Sequence, residues 1–166
     1  MKPGAAAATM IWRLPLKVIG LAVLALALVS PVTGCGFRGG PNLGPAAAKE
    51  ARRHLGVAYK LGGTDPRGFD CSGLAYYVYN RLGVELPRSS DKQAQVGRRI
   101  RQGQLRPGDL VFFSTGTGRG VTHVGIYLGR RQFIHAPGRG KTVTISELDS
   151  DYFSRRYHSA RRMARR

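Results

Sequence analysis

The chain has 166 residues, 42% of them hydrophobic, a formal net charge of +18 at pH 7 and two cysteines. This length and composition indicate one globular domain. The sequence has no cluster of Cys and His at metal-binding spacing, so we expect no zinc site, and we expect no other cofactor. The charge indicates anionic surroundings, either nucleic acid or an anionic surface.

The N-terminal segment has the features of an export signal. An apolar run of twelve residues, 18–29, follows several basic residues and is shorter than the ~20 residues that a membrane-spanning helix needs. Val32-Thr33-Gly34-Cys35 then matches a bacterial lipobox. We therefore predict that residues 1–34 are removed and that Cys35 carries lipid. Ordinary cleavage nearby and an uncut membrane anchor are the alternatives.

An exported protein meets lipid or cell-wall polymers, so nucleic acid is not the expected partner. We predict a lipidated, flexible tether at 35–45 and a globular domain at 46–166, because 36–45 is rich in Gly and Pro. Gly36 after the lipidated cysteine favours the periplasmic face of the outer membrane, in an organism that has one.

Cys71 lies at the centre of the most informative segment, residues 68–74. It follows a glycine-rich loop and begins a helical pattern that ends at Gly83, so we expect the helix N-terminus to favour its thiolate. If Cys35 is lipidated, Cys71 is a lone thiol in an oxidising compartment, which is typical of a reactive group. A Cys35–Cys71 disulfide and a buried structural cysteine are the alternatives.

The remaining pattern predicts an α+β domain, with helices mostly first and antiparallel strands mostly second. A first helix is expected at 46–55, and a short one is expected from Ser89 or Ser90 to Val96. Strands are predicted at 110–113, 122–128, 132–136, 142–145 and 157–163, with a short helix at 147–153.

Two histidines lie on adjoining predicted strands. His123, Gly125 and Tyr127 alternate with an apolar face, and His135 follows on the return strand. A two-residue turn at 129–130 would place the two histidines on opposite faces of the sheet. A three-residue turn or a compensating bulge would place them on one face, where the rings can form a hydrogen bond. We predict this second register.

Six short motifs follow one another in an order that resembles the NlpC-type family of bacterial cell-wall cysteine peptidases. They are Tyr59-x-x-Gly62-Gly63, Phe69-Asp70-Cys71-Ser72-Gly73, Leu86-Pro87-Arg88-Ser89, Arg106-Pro107-Gly108-Asp109-Leu110, His123-Val124-Gly125-Ile126-Tyr127 and Phe133-Ile134-His135-Ala136. The resemblance runs from 46 to 163. It implies a papain-like fold, with N-terminal helices packed on an antiparallel sheet, and hydrolysis of amide bonds in peptidoglycan stem peptides.

Carried over by position, the resemblance implies that Cys71 is the nucleophile, His123 the base and then the acid, and His135 the residue that orients His123. Tyr59, Asp70 and Ser72 match positions near the nucleophile, where they would bind substrate or stabilise the oxyanion. Asp70 is as well explained as a helix cap. A non-catalytic cell-wall-binding lipoprotein on the same fold and an acyltransferase are the alternative functions. The bond that is cut and any adaptor protein stay open.

Overall fold

A computed structural model describes residues 43–116 and 120–165. The apolar run, the lipobox and Cys35 lie outside these residues, so the predictions made for them stay predictions. No helix within the described residues combines the length and the apolar character that crossing a bilayer requires.

The described residues form a mixed helical and antiparallel domain, which confirms the predicted fold class. In chain order its elements are α1 (Leu43–Arg52), β1 (Thr64–Asp65), β2 (Gly68–Phe69), α2 (Cys71–Arg81), α3 (Ser90–Gln93), β3 (Arg98–Ile100), a 3₁₀ turn (Gln102–Gln104), β4 (Leu110–Phe113), β5 (His123–Gly129), β6 (Gln132–His135), β7 (Thr144–Glu147), α4 (Asp151–Ser154) and β8 (Tyr157–Arg162).

Six of the strands form one sheet in the order β3-β8-β4-β5-β6-β7, and every neighbouring pair is antiparallel. The first helices cover one face of this sheet. Ala47 of α1 and Val78 of α2 are fully buried in the same cluster as Val124 and Ile126 of β5. This layer fixes the start of α2 beside the start of β5.

The opposite face of the sheet carries a second, aromatic cluster. Phe113, Tyr127 and Phe133 belong to it, and Phe153 packs against it. Val124, Ile126 and Leu128 lie in the first cluster, so the predicted alternation along β5 is confirmed.

The β5–β6 hairpin has the register that the histidines require. Tyr127 opposes Phe133, but the next pair is Gly129 with Gln132, so Leu128 is an extra residue on β5. The turn is therefore a two-residue turn, and its residues Arg130 and Arg131 both have positive φ, 51° and 63°. A bulge compensates for the even turn and keeps His123 and His135 on one face, as predicted.

The first helix differs from its predicted bounds. It begins at Leu43 rather than Ala46 because Leu43, Ala47 and Ala51 form a buried stripe at helical spacing. Its first turn therefore includes residues 43–45, the last three residues of the tether that was predicted at 35–45. Residues 53–55 form turns instead of continuing the helix.

Three further boundaries were wrong. The helix after Ser89 ends at Gln93, the strand predicted at 142–145 lies at Thr144–Glu147, and the helix predicted at 147–153 is reduced to Asp151–Ser154. Strand β3 was missed because two of its three residues are exposed arginines on the sheet edge, which give no apolar alternation.

Candidate active site

Cys71 is the first residue of α2, and the residues around it explain why the helix begins there. Asp70 has extended backbone angles, and its Oδ1 accepts a hydrogen bond of 2.7 Å from the N–H of Gly73. The carbonyl of Gly63 packs against the same turn so closely that a Cβ at Gly73 would lie 1.9 Å from its oxygen. The glycine-rich loop can therefore pack on the helix start only because residue 73 is glycine.

The cap interpretation of Asp70 is confirmed, and its carboxylate has further partners. Arg88 donates to Asp70 Oδ1 at 3.0 Å and to Ser72 Oγ at 2.9 Å. Burial opposes ionisation of Asp70, but hydrogen bonds from Arg88, Gly73 and Gly62 outweigh it and lower the pKa of the carboxyl. Asp70 and Ser72 are both buried, whereas the Arg88 side chain is 39% exposed. Arg88 is thus the member of this group that faces solvent.

Tyr59 is close enough to the thiol for the charge of Cys71 to act on its hydroxyl. Its main chain is held by a bridge to Phe69 and by a bond of 2.9 Å from its N–H to the carbonyl of Lys141. Burial raises the pKa of its hydroxyl, and the charges of a Cys71 thiolate and of the Asp70 carboxylate raise it further. Its phenol therefore rests protonated near the sulfur, as an available donor.

The sulfur of Cys71 is partly buried and lies among backbone donors. The N–H groups of Val124, Ser72 and Cys71 itself favour its charged form. Burial, and then the Asp70 carboxylate, nevertheless raise the pKa of the thiol. The N–H groups at the helix start favour the thiolate, as expected, but desolvation outweighs them, so the net effect favours the neutral thiol. A resting thiol of this kind needs a base.

The two histidines are in contact. His123 Nε2 lies 2.8 Å from His135 Nδ1, and the two rings are nearly perpendicular. Both side chains are buried beside Phe133 and Phe153. Burial lowers the pKa of His123 to about 4, and burial with the neighbouring His123 and Lys141 lowers that of His135 to about 3. Both imidazoles are therefore neutral at pH 7.

Ser146 of β7 completes a chain of hydrogen bonds that the sequence did not reveal. Its Oγ lies 2.9 Å from His135 Nε2. Each neutral imidazole carries one N–H. If His123 Nδ1 is to accept a proton, His123 donates from Nε2 to His135, and His135 donates from Nε2 to Ser146. This order of donors leaves the Nδ1 atom of His123 free to act as a base.

The thiol and the imidazole lie at the same end of β5, since Val124, whose N–H favours the charged form of Cys71, directly follows His123. The approach of Cys71 to His123 Nδ1 stays a prediction. No group of three or more His, Cys, Asp or Glu side chains within 43–116 and 120–165 is arranged to hold a metal ion.

The sequence profile of the NlpC/P60 family matches residues 56–162. The chain is 44% identical over 113 residues to the murein DD-endopeptidase MepS/murein LD-carboxypeptidase of Escherichia coli strain K12, a match that covers 67% of this chain and 58% of that protein. It is 43% identical over 119 residues to the probable endopeptidase NlpC homolog of Haemophilus influenzae, covering 71% and 62%.

Solved structures agree with the sequence relatives. The crystal structure of an NlpC/P60 family protein from Bacillus cereus superposes with a TM-score of 0.68 at 34% identity, covering 72% of this chain and 39% of that one. The chain spans less than two thirds of the length of the curated relatives it matches. Because the family profile matches more than half of the chain and the fold agrees with it, this protein belongs to the NlpC/P60 family.

Proposed function

We propose that this protein is a cysteine peptidase that hydrolyses amide bonds in the stem peptides or cross-links of peptidoglycan. The observation that carries the proposal is the contact of 2.8 Å between His123 Nε2 and His135 Nδ1, at the end of β5 that holds Val124, whose N–H favours the charged form of Cys71. A thiol, a neutral imidazole and a group that orients it are the parts that nucleophilic amide hydrolysis needs. The murein endopeptidase among the relatives supports the substrate class.

The first half of the reaction forms a thioester. Cys71 Sγ attacks the amide carbon while its proton passes to Nδ1 of His123, and the developing oxyanion accepts hydrogen bonds from the Cys71 N–H and from the hydroxyl of Tyr59. His123 then gives the proton to the departing amine as the C–N bond breaks. His135 fixes the ring of His123 throughout.

The second half consumes water. His123 takes a proton from the water molecule that attacks the thioester, the C–S bond breaks, and the sulfur recovers its proton. The acyl half of the peptide remains beside α2 until then, within reach of Tyr59 and of the exposed guanidinium of Arg88. Asp70 and Ser72 act through Arg88, since their own side chains are buried against it.

Digestion of purified peptidoglycan by the full chain tests the proposal. Mass spectrometry of the muropeptides should show one new amino and one new carboxyl terminus for each cut, and the Cys71→Ala variant should produce neither. Products from both proteins would contradict the cysteine mechanism. Specific sedimentation with intact peptidoglycan, without products, would favour the cell-wall-binding alternative.

We further propose that the protein acts outside the cytoplasm and is anchored by lipid on Cys35. The lipobox at 32–35 after an apolar run supports this proposal. The Cys35→Ser variant should lose labelling by a fatty-acid probe and be released from the membrane fraction, yet keep its activity in solution. Equal labelling and membrane association of wild type and variant would contradict lipid anchoring.

A further inference from the structure

A cavity of about 340 Å³ adjoins the histidine pair, a volume at the lower end of the range for small-ligand pockets (about 300–1,000 Å³). Its lining residues come from β5, β6, β7 and α4 and from the segments that follow β4 and β6. They are Thr115, His123, His135, Pro137, Lys141, Thr144, Ser146, Tyr152 and Phe153.

The place of this cavity in the fold assigns it to one half of a bound peptide. None of its lining residues belongs to α2 or to the group around Asp70, where the acyl half would remain bonded to Cys71. It does contain His123, which gives its proton to the departing amine in the proposed reaction. The cavity therefore lies where the amine half of the substrate leaves.

Lys141 is the one side chain among these lining residues that carries a formal charge at neutral pH, since both histidines are neutral there. Its ammonium forms no ion pair with any residue in the described part of the chain. Its charge acts on His135, whose pKa it helps to lower. The cavity thus combines a free cation with hydroxyl groups and no carboxylate.

The backbone around Lys141 is fixed rather than loose. Its carbonyl accepts a hydrogen bond from Tyr59, and Val143 donates to Val57 at 2.8 Å, so this segment pairs with the one that carries Tyr59. A cation on a fixed segment loses less conformational freedom when it binds an anion. Tyr152 and Phe153 provide an apolar wall for the aliphatic part of a ligand.

We propose that this cavity binds the leaving half of the substrate through a free carboxylate on that half, with the ammonium of Lys141 as the partner of the carboxylate. The inference rests on the proposed peptidase function and adds a requirement for the substrate. The preferred peptide carries an unblocked carboxyl group on the residue that supplies the departing amine. Amidation of that carboxyl removes the charge while it preserves the shape.

Wild type and Lys141→Met, each assayed on two peptides, test the requirement for a free carboxyl group. The probes are a stem peptide cut before a diaminopimelate residue with its second carboxyl group free, and the same peptide with that group as a carboxamide. For the wild-type full chain, kcat/KM should be about five- to tenfold higher on the free acid. In Lys141→Met this ratio should fall to about one, and Lys141→Arg should recover part of it.

Lys92→Met is the matched control, since Lys92 is an exposed lysine of α3 outside the cavity, and its ratio should equal that of wild type. A wild-type ratio of one, or an unchanged ratio in Lys141→Met, would overturn the inference and leave the peptidase function standing. Cleavage of neither peptide by wild type, together with unchanged peptidoglycan in the digestion, would overturn the proposed function and this inference with it.

Discussion

The start of α2 and the histidine pair are built in opposite ways. Around Cys71 the polar groups are charged and paired, with the Asp70 carboxylate capping the helix and bonded to Arg88. Around His123 the polar groups are neutral and lie beside aromatic rings. Each environment nevertheless favours the uncharged form of its reactive group, because burial raises the pKa of the Cys71 thiol and lowers that of the His123 imidazole. Under the proposed mechanism, the comparison predicts that the proton moves from Cys71 to His123 during attack rather than before it.

Loss of the sulfur is expected to have the largest effect. Cys71→Ala should reduce kcat by more than about a thousandfold, because no other group in the site can form the thioester. Its thermal unfolding should stay close to that of wild type, since the side chain is small and only partly buried. Iodoacetamide should inactivate the Cys35→Ser variant by labelling Cys71, and activity that survives complete labelling would contradict the assignment.

Loss of the orienting ring is expected to come next. His135→Ala should lower kcat by about a hundredfold or more with little change in KM, because His123 is then free to rotate or to change tautomer. His135→Asn, which can still accept a hydrogen bond from His123, should recover part of the rate. Steady-state kinetics on a stem peptide give both values, and equal losses in the two variants would show that the hydrogen bond is not what matters.

The stability of the folded protein tests the charged group beside Cys71, the pair of Arg88 and Asp70. Arg88→Met leaves the buried Asp70 carboxylate without its cation and should cost about 1–2 kcal/mol of unfolding free energy, a value reduced for the partial exposure of Arg88. Because pairing lowers the pKa of Asp70, this stabilisation is present above the pKa of the unfolded carboxyl and is lost as the pH falls through the lower folded value. Wild type and variant should therefore converge in acid.

The matched control is the exposed pair of Arg67 and Asp65 on the neighbouring loop. Arg67→Met should leave the Tm unchanged, because solvent screens that pair. Denaturation of the three proteins at neutral and acid pH provides the comparison. Equal losses in the two variants would mean that the Arg88 pair is no more than a surface contact.

The smallest expected effect concerns Ser146. Ser146→Ala removes the acceptor for His135 Nε2 and should lower kcat about three- to tenfold without a change in KM, while Ser146→Thr should retain most of the rate. Since activity needs neutral His123, with a pKa of about 4, wild-type kcat/KM should hold down to about pH 5 and fall through pH 4. A kcat of Ser146→Ala equal to that of wild type would exclude a positioning role. Ser154→Ala is the control on an exposed serine.

The two regions also differ in how far the sequence predicts them. The helix start at Cys71, the Asp70 cap and the alternation in β5 depend on neighbours within a few residues, so local patterns were sufficient. The common face of the histidines was predicted, but the position of its bulge at Leu128 was not, since a bulge depends on how the turn closes. Ser146 reaches His135 only through the register of β6 and β7, which the sequence does not specify.

The raised pKa of Cys71 was also missed, because local sequence patterns do not show how the chain packs. It depends on how deeply the packed sheet and loop bury the sulfur, and a helix N-terminus considered alone gives the opposite direction. The role proposed for Lys141 likewise depends on the pairing of its segment with that of Tyr59, two parts of the chain that are far apart in sequence.

The protonation state of the resting thiol tests the central claim most directly. The ultraviolet absorbance of the thiolate, measured against pH as the difference between wild type and Cys71→Ala, reports the titration of this one sulfur. The structure leads us to expect no thiolate signal at pH 5–7 and its appearance only above the ordinary thiol pKa of 9.0. A full thiolate signal at neutral pH, lost only in acid, would show instead that Cys71 and His123 rest as an ion pair.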